Sequence, residues 1–99
     1  MPETDQDSCF CYIVECADGT FYTGWTTDPD RRVKEHNAGR GALYTRFRRP
    51  VHLIYLETFP DRSTAMKREI EIKKLTRKKK EALVENQILD QDGQLAGEE

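Results

Sequence analysis

The chain has no apolar run approaching the ~20 residues that a bilayer span requires, and its N-terminal stretch is acidic rather than signal-like. Neither a membrane helix nor a secretory leader is expected, and a cytoplasmic setting is inferred. Cysteine is scarce and odd in number: Cys9, Cys11 and Cys16. Cys9 and Cys11 would leave the same face of a strand, which argues against a disulfide framework, and a zinc site lacks its fourth ligand and the usual spacing. Buried or half-buried thiols in a reducing compartment are the expectation. Apolar residues are only 36% of the chain and charged residues 34%. Ninety-nine residues of that composition suit one small domain with a thin core, and no second domain fits.

Basic residues are missing from both ends. The first thirty residues carry seven acids and no Lys or Arg, and the last nineteen carry six acids and none. All sixteen Lys and Arg lie between Arg31 and Lys80, where only five acids occur (Glu35, Glu57, Asp61, Glu69 and Glu71). That window carries +11 in a chain whose formal net charge is −2. Local charge, not the sum, sets the field that a polyanion meets. Lys78, Lys79 and Lys80 are accounted for by a solvated helix face. Arg40, Arg46, Arg48 and Arg49 fall in a loop, which gains no helix propensity from them, so phosphate binding is the better explanation there.

Residues 1–8 are polar, acidic and without periodicity, as expected of a disordered arm. Cys9 to Cys16 reads as a strand, Ala17-Asp18-Gly19 as a turn and Thr20 to Thr26 as the returning strand. Asp28-Pro29 marks a helix start, with Asp28 as N-cap and Pro29 at the first helical position, and the helix should stop before Gly39. A basic loop with Gly41 and Pro50 follows. Val51 to Phe59 is the third strand, Asp61 or Ser63 caps a helix to about Leu75, and Thr76 caps a last helix ending near Asn86. Residues 87–99 read as a disordered acidic tail, which leaves 9–86 as the folded domain. The order β-β-α-β-α-α predicts an α+β fold, a three-stranded and mainly antiparallel sheet flanked by about three helices.

Five residues could do chemistry together. With a two-residue turn, Tyr12 and Tyr22 would point to opposite faces of the hairpin. With a three-residue loop and Gly19 in the left-handed region, Tyr22 lies opposite Val14 and Tyr12 opposite Gly24, so the phenols share a face. A phenol with a pKa near ~10 is a poor base until a metal or an arginine favours the phenolate. Arg32 and His36 share one face of the first helix, where a guanidinium suits a crowded phosphate. His36 either handles a proton or meets the helix dipole, and His52 is left as structural. Glu69 falls between Ala65 and the Met66/Ile70 pair, on the arc that should face the sheet. A carboxylate there needs a partner, either Mg²⁺ or Mn²⁺ or one of Lys73 and Arg62.

In this order the residues resemble the GIY-YIG nuclease family, and more closely its small, single-domain bacterial branch. The first signature appears as Cys11-Tyr12-Ile13 and the second as Tyr22-Thr23-Gly24. They are followed by Asp30 to Asn37, by Gly41-Ala42-Leu43-Tyr44-Thr45, by Arg48-Arg49-Pro50-Val51 and by Ala65 to Glu71. The likeness covers roughly residues 10 to 85. It implies that Tyr12 and Tyr22 are the signature tyrosines, Arg32 the catalytic arginine, Glu69 the metal-binding glutamate and His36 a histidine found in some members. Cys11 stands where the first motif leads with glycine, and Thr23 where the second has isoleucine. Neither change removes a catalytic group.

The expected function is thus metal-dependent hydrolysis of DNA phosphodiesters, in repair or processing, with one Mg²⁺ or Mn²⁺ on Glu69. Arg40, Arg46, Arg48, Arg49, Lys78 and Lys79 would grip flanking phosphates. Family nucleases usually attach this module to DNA-binding or partner domains, and nothing in this chain supplies one. The alternative is therefore a DNA- or RNA-binding module with weak or no cleavage, acting through a protein partner. DNA is favoured over RNA as ligand, and a monomer is expected.

Overall fold

A computed structural model describes residues 8–98. The expected acidic arm, apart from Ser8, and the side chains of the tail beyond Ile88 lie outside the described residues. Strands β1 (Cys9–Glu15), β2 (Phe21–Thr26) and β3 (His52–Phe59) form one antiparallel sheet in the order β2-β1-β3. Helices α1 (Pro29–Asn37), α2 (Leu43–Arg46), α3 (Arg62–Lys73) and α4 (Arg77–Glu98) complete an α+β domain. The additional element is α2, a single turn within the stretch expected to be loop.

The hairpin takes the odd-length loop. The Cys16 N–H donates to Thr20 O at 2.8 Å and the Gly19 N–H to Cys16 O at 2.9 Å, with Gly19 at φ +85°. Pairing follows as Val14 with Tyr22 and Tyr12 with Gly24. β1 is the central strand, paired along both edges, and side chains pack on both of its faces. Cys11 and Ile13 pack with Tyr55 and with Ile72 of α3, flanked by Leu83 and Val84 of α4. Tyr12, Val14 and Cys16 pack on the other face with Val51, flanked by Val33 of α1. All three cysteines are buried and free.

Asp28 caps α1 by accepting from the Arg31 N–H at 3.1 Å, and Asp61 caps α3 by accepting from the Thr64 N–H at 2.8 Å. The side-chain amide of Asn37 donates to Val51 O at 3.0 Å and its carbonyl accepts from the Val51 N–H at 2.7 Å, which pins the end of α1 to the start of β3. Arg68 of α3 forks onto Glu57 of β3 at 3.0 and 3.1 Å.

Two expectations need correction. The inner arc of α3 is centred on Ala65, Glu69 and Ile72, while Met66 and Ile70 are 40% and 51% exposed. Ala65 and Ile72 lie one heptad apart on the buried face with Glu69 between them, as expected, and it is the Met66/Ile70 pair that falls outside the arc. The last helix also runs past Asn86. Gln87 sits there because its amide donates to Leu56 O at 2.7 Å and accepts from the Leu56 N–H at 3.3 Å, satisfying part of the exposed edge of β3.

Candidate active site

The odd-length hairpin loop brings both tyrosines to one face. The space opposite Gly24 is filled by Tyr12 itself, since a Cβ on residue 24 would stand 2.5 Å from the phenol oxygen. Glycine at this position is what lets Tyr12 lie flat across β2. Tyr12 is 1% exposed, whereas Tyr22 is half-buried and stacks on Tyr44 at 5.8 Å between centroids.

From α1, Arg32 and His36 reach that phenol. The Tyr12 hydroxyl lies 2.8 Å from His36 Nε2 and accepts from Arg32 Nε at 3.4 Å. Arg32 also donates to Glu35 Oε1 at 3.0 Å and to Gly41 O at 3.0 Å. On the far side of the imidazole, Nδ1 lies 2.8 Å from Thr45 Oγ1, which donates its one proton to Ala42 O at 3.1 Å. One assignment satisfies all three bonds. Thr45 must accept from Nδ1–H, which leaves Nε2 as the acceptor for the Tyr12 proton. The chain of donors therefore runs Tyr12 to His36 to Thr45 to Ala42, with His36 neutral.

The electrostatics agree with a neutral ring. His36 is fully buried, and burial followed by the Arg32 charge pushes its pKa down to about 4. Burial pushes the Tyr12 pKa up to about 12, against the pull of Arg32 and with a further push from Tyr22 and Glu69. At neutral pH the pair is a phenol beside a neutral imidazole. A negative charge arriving at Arg32 would offset its field on both groups, making His36 Nε2 a better proton acceptor while holding the Tyr12 phenol protonated.

Glu69 approaches from α3 with its side chain 17% exposed. Its carboxylate is 3.1 Å from Lys73 Nζ, and the same ammonium stands 5.8 Å from the centre of the Tyr22 ring. Of the two side chains expected as alternatives to a metal, Lys73 is thus the partner and Arg62 is not. No cluster of three His, Cys, Asp or Glu suited to a metal occurs among the described residues. A lone inward carboxylate still fits Mg²⁺ or Mn²⁺, which keep several waters and take the rest of their oxygens from a phosphate. Lys73 meets only Oε2 of that carboxylate and would share it with the cation or give it up.

The basic residues divide into engaged and open ones. Arg46 donates to Gly39 O at 3.4 Å, Arg48 to Tyr44 O at 2.8 Å, and Arg49 to Arg46 O at 2.8 Å and Asn37 O at 3.3 Å. Arg48 Nε also lies 3.1 Å from Asp18 Oδ2, an ion-pair distance without hydrogen-bond alignment. These arginines tie the loop's own carbonyls, which sequence reasoning did not anticipate, although each guanidinium keeps further donors. Arg40, Lys78 and Lys79 are exposed. Lys80 is half-buried, and its pKa is pushed down by burial and then by Lys73 and Arg77, so three cations crowd the junction of α3 and α4.

Thr45 and Gly41 were not singled out from the sequence. Thr45 orients His36, and a Cβ on Gly41 would collide with the imidazole. Their signal was the Gly41-to-Thr45 segment, whose residues make sense only once α2 folds that threonine under α1.

Residues 8–82 match the model of the GIY-YIG catalytic domain. A UPF0213 protein of Haloquadratum walsbyi is 58% identical over 79 residues, covering 80% of this chain and 89% of its own. A UPF0213 protein of Staphylococcus aureus is 55% identical over 78 residues, covering 79% and 95%. Two solution NMR structures are each 51% identical: a UPF0213 protein of Bacillus halodurans and a protein of E. faecalis. The first covers 79% of this chain and 83% of its own with a TM-score of 0.52, and the second 83% and 88% with 0.57. No helix among the described residues is long and apolar enough to cross a membrane. With the catalytic-domain model spanning most of the described residues, the chain belongs to the GIY-YIG catalytic domain family.

Proposed function

We propose that this protein is a metal-dependent endonuclease that hydrolyses DNA phosphodiester bonds, in repair or processing. The observation that carries the reading is the meeting of Arg32 Nε and His36 Nε2 on one phenol oxygen, that of Tyr12. Arg32 would hold the scissile phosphate and stabilise the charge that grows on it during displacement. That anion would offset the Arg32 field on Tyr12 and His36 alike, making the phenol oxygen and Nε2 better proton acceptors together. Tyr12 could then take a proton from water while passing its own to Nε2, with Thr45 steadying the imidazolium through Nδ1–H. Tyr22, beside His36 at 5.4 Å between centroids, would orient the water. Glu69 would hold one Mg²⁺ or Mn²⁺, which when bound supplies positive charge to the phosphate and the departing oxygen. The protein would act as a cytoplasmic monomer, with a partner where a branched or damaged substrate must be found.

A second reading keeps binding and drops cleavage. It is favoured by the burial of the Tyr12 phenol and by the Lys73 ammonium seated on Glu69. Labelled single-stranded, duplex, flapped and branched DNAs, incubated with Mn²⁺ or with EDTA, decide between the two. The nuclease reading expects metal-dependent cutting that Glu69→Gln and Arg32→Ala abolish. Binding without cutting, or cutting unchanged in those variants, would overturn it.

A further inference from the structure

Beside the candidate active site lies a cavity of about 260 Å³ that the chemistry above does not use. Its walls include Trp25, Arg31, Arg32, Glu35 and Arg62. Trp25 is the only tryptophan in the chain and is half-buried at the end of edge strand β2. The Arg62 guanidinium, on the first residue of α3, stands 5.4 Å from the centre of the Trp25 ring. Among the described residues Arg62 makes no salt bridge. The one acid, Glu35, is already shared by Arg31 at 3.6 Å and Arg32 at 3.0 Å, so the cavity keeps a positive balance.

A flat indole beside an exposed guanidinium is what a nucleobase stacks on, and a surrounding set of arginines is what its phosphates meet. Arg32 lines both this cavity and the Tyr12 site. A strand whose phosphate sits on Arg32 would therefore carry its neighbouring nucleotide into the cavity. Paired bases are stacked on one another inside a duplex and cannot offer a face here, so the occupant must be unpaired. Resting on the nuclease reading, we infer that this cavity is a subsite for an unpaired nucleobase flanking the scissile phosphate, stacked on Trp25 and held by Arg31 and Arg62. The chain would then select substrates with a single-stranded segment at the cut.

Because Trp25 is the sole tryptophan, its fluorescence reports the cavity alone. The full chain in EDTA would be titrated with a short oligodeoxythymidylate, with an abasic strand of equal length and with a blunt duplex, while anisotropy of labelled strands reports total binding. The expected result is saturable quenching by the base-bearing strand only. Trp25→Leu should weaken single-strand affinity about tenfold, and Arg62→Ala, on an exposed residue, should weaken it severalfold with the fold intact by circular dichroism. Equal quenching by the abasic strand, or binding by anisotropy with no quenching, would overturn the subsite. Metal-dependent cutting without quenching removes the subsite and leaves the nuclease reading standing. Quenching without cutting supports the subsite and removes the nuclease reading.

Discussion

On the α1 side of the candidate site, Tyr12, His36 and Thr45 are buried and joined in one directional hydrogen-bond chain, with Arg32 braced by Glu35 and Gly41 O. On the α3 side, Glu69 is held by a single ion pair with Lys73, whose own side chain is 49% exposed. Buried polar networks with every member satisfied are rigid, whereas a half-exposed i,i+4 pair contributes at most about 1 kcal/mol. The groups that would move protons are thus fixed before any ligand arrives. The carboxylate that would take a cation is left adjustable, with an ammonium standing where positive charge is needed.

Loss of the fixed side should have the largest consequence. His36→Ala should lower the cleavage rate by about 10²–10⁴-fold with DNA affinity little changed, read from single-turnover rates and binding isotherms. A rate within threefold of the parent would mean that the Tyr12–His36 bond is packing and nothing more.

The same burial should appear in the pH dependence of stability. The His36 pKa falls from 6.5 to about 4 on folding, so the unfolded chain takes up the proton first. The stability at stake is therefore complete above pH 6.5 and is lost as pH falls towards 4, by about 3 kcal/mol across the window. Urea melts between those limits should show this slope, and His36→Gln should flatten it.

A smaller effect is expected at Thr23, buried at 2% exposure with a hydroxyl that has no hydrogen-bond partner among the described residues. Thr23→Val should raise stability by about 1 kcal/mol, measured as a shift in the denaturation midpoint. The smallest change belongs to the loose side. Lys73→Met should strengthen Mn²⁺ binding by up to about fivefold, measured by titration calorimetry, and cost less than about 1 kcal/mol of stability. Weaker Mn²⁺ binding in that variant would show that the lysine assists the cation rather than competing with it.

How much of this was legible before folding depended on how local each signal was. The hairpin was legible but its register was not. The sequence left two loop lengths open, and Gly19 at φ +85° with the Val14–Tyr22 pairing decides for the odd one. In contrast, α1 was legible from Asp28-Pro29 because cap chemistry acts within a few residues. The grouping of Tyr12, Tyr22, Arg32, His36 and Glu69 was legible through their order along the chain. Thr45 was not, since α2 is one turn long and its hydroxyl matters only through a contact nine residues back. The role of Gln87 was hidden for a similar reason, as its partner Leu56 lies 31 residues away. Arg46, Arg48 and Arg49 read as free cations because the need of loop carbonyls for donors leaves no mark on composition. The inward arc of α3 was read too wide because Met66 and Ile70 outweigh Ala65 in hydrophobicity, while close approach to the sheet favours the smaller side chain.

A neutral His36, accepting from Tyr12 at Nε2, stands built before the substrate arrives. Imidazole ¹⁵N shifts of the metal-free protein, followed as a function of pH with and without a short DNA, test it directly. The expected result is an Nδ1–H tautomer that stays neutral down to about pH 4 in the free protein and takes up a proton at higher pH when DNA is bound. An Nε2–H tautomer, or a free-protein titration at the ordinary 6.5 that DNA leaves unmoved, would contradict it.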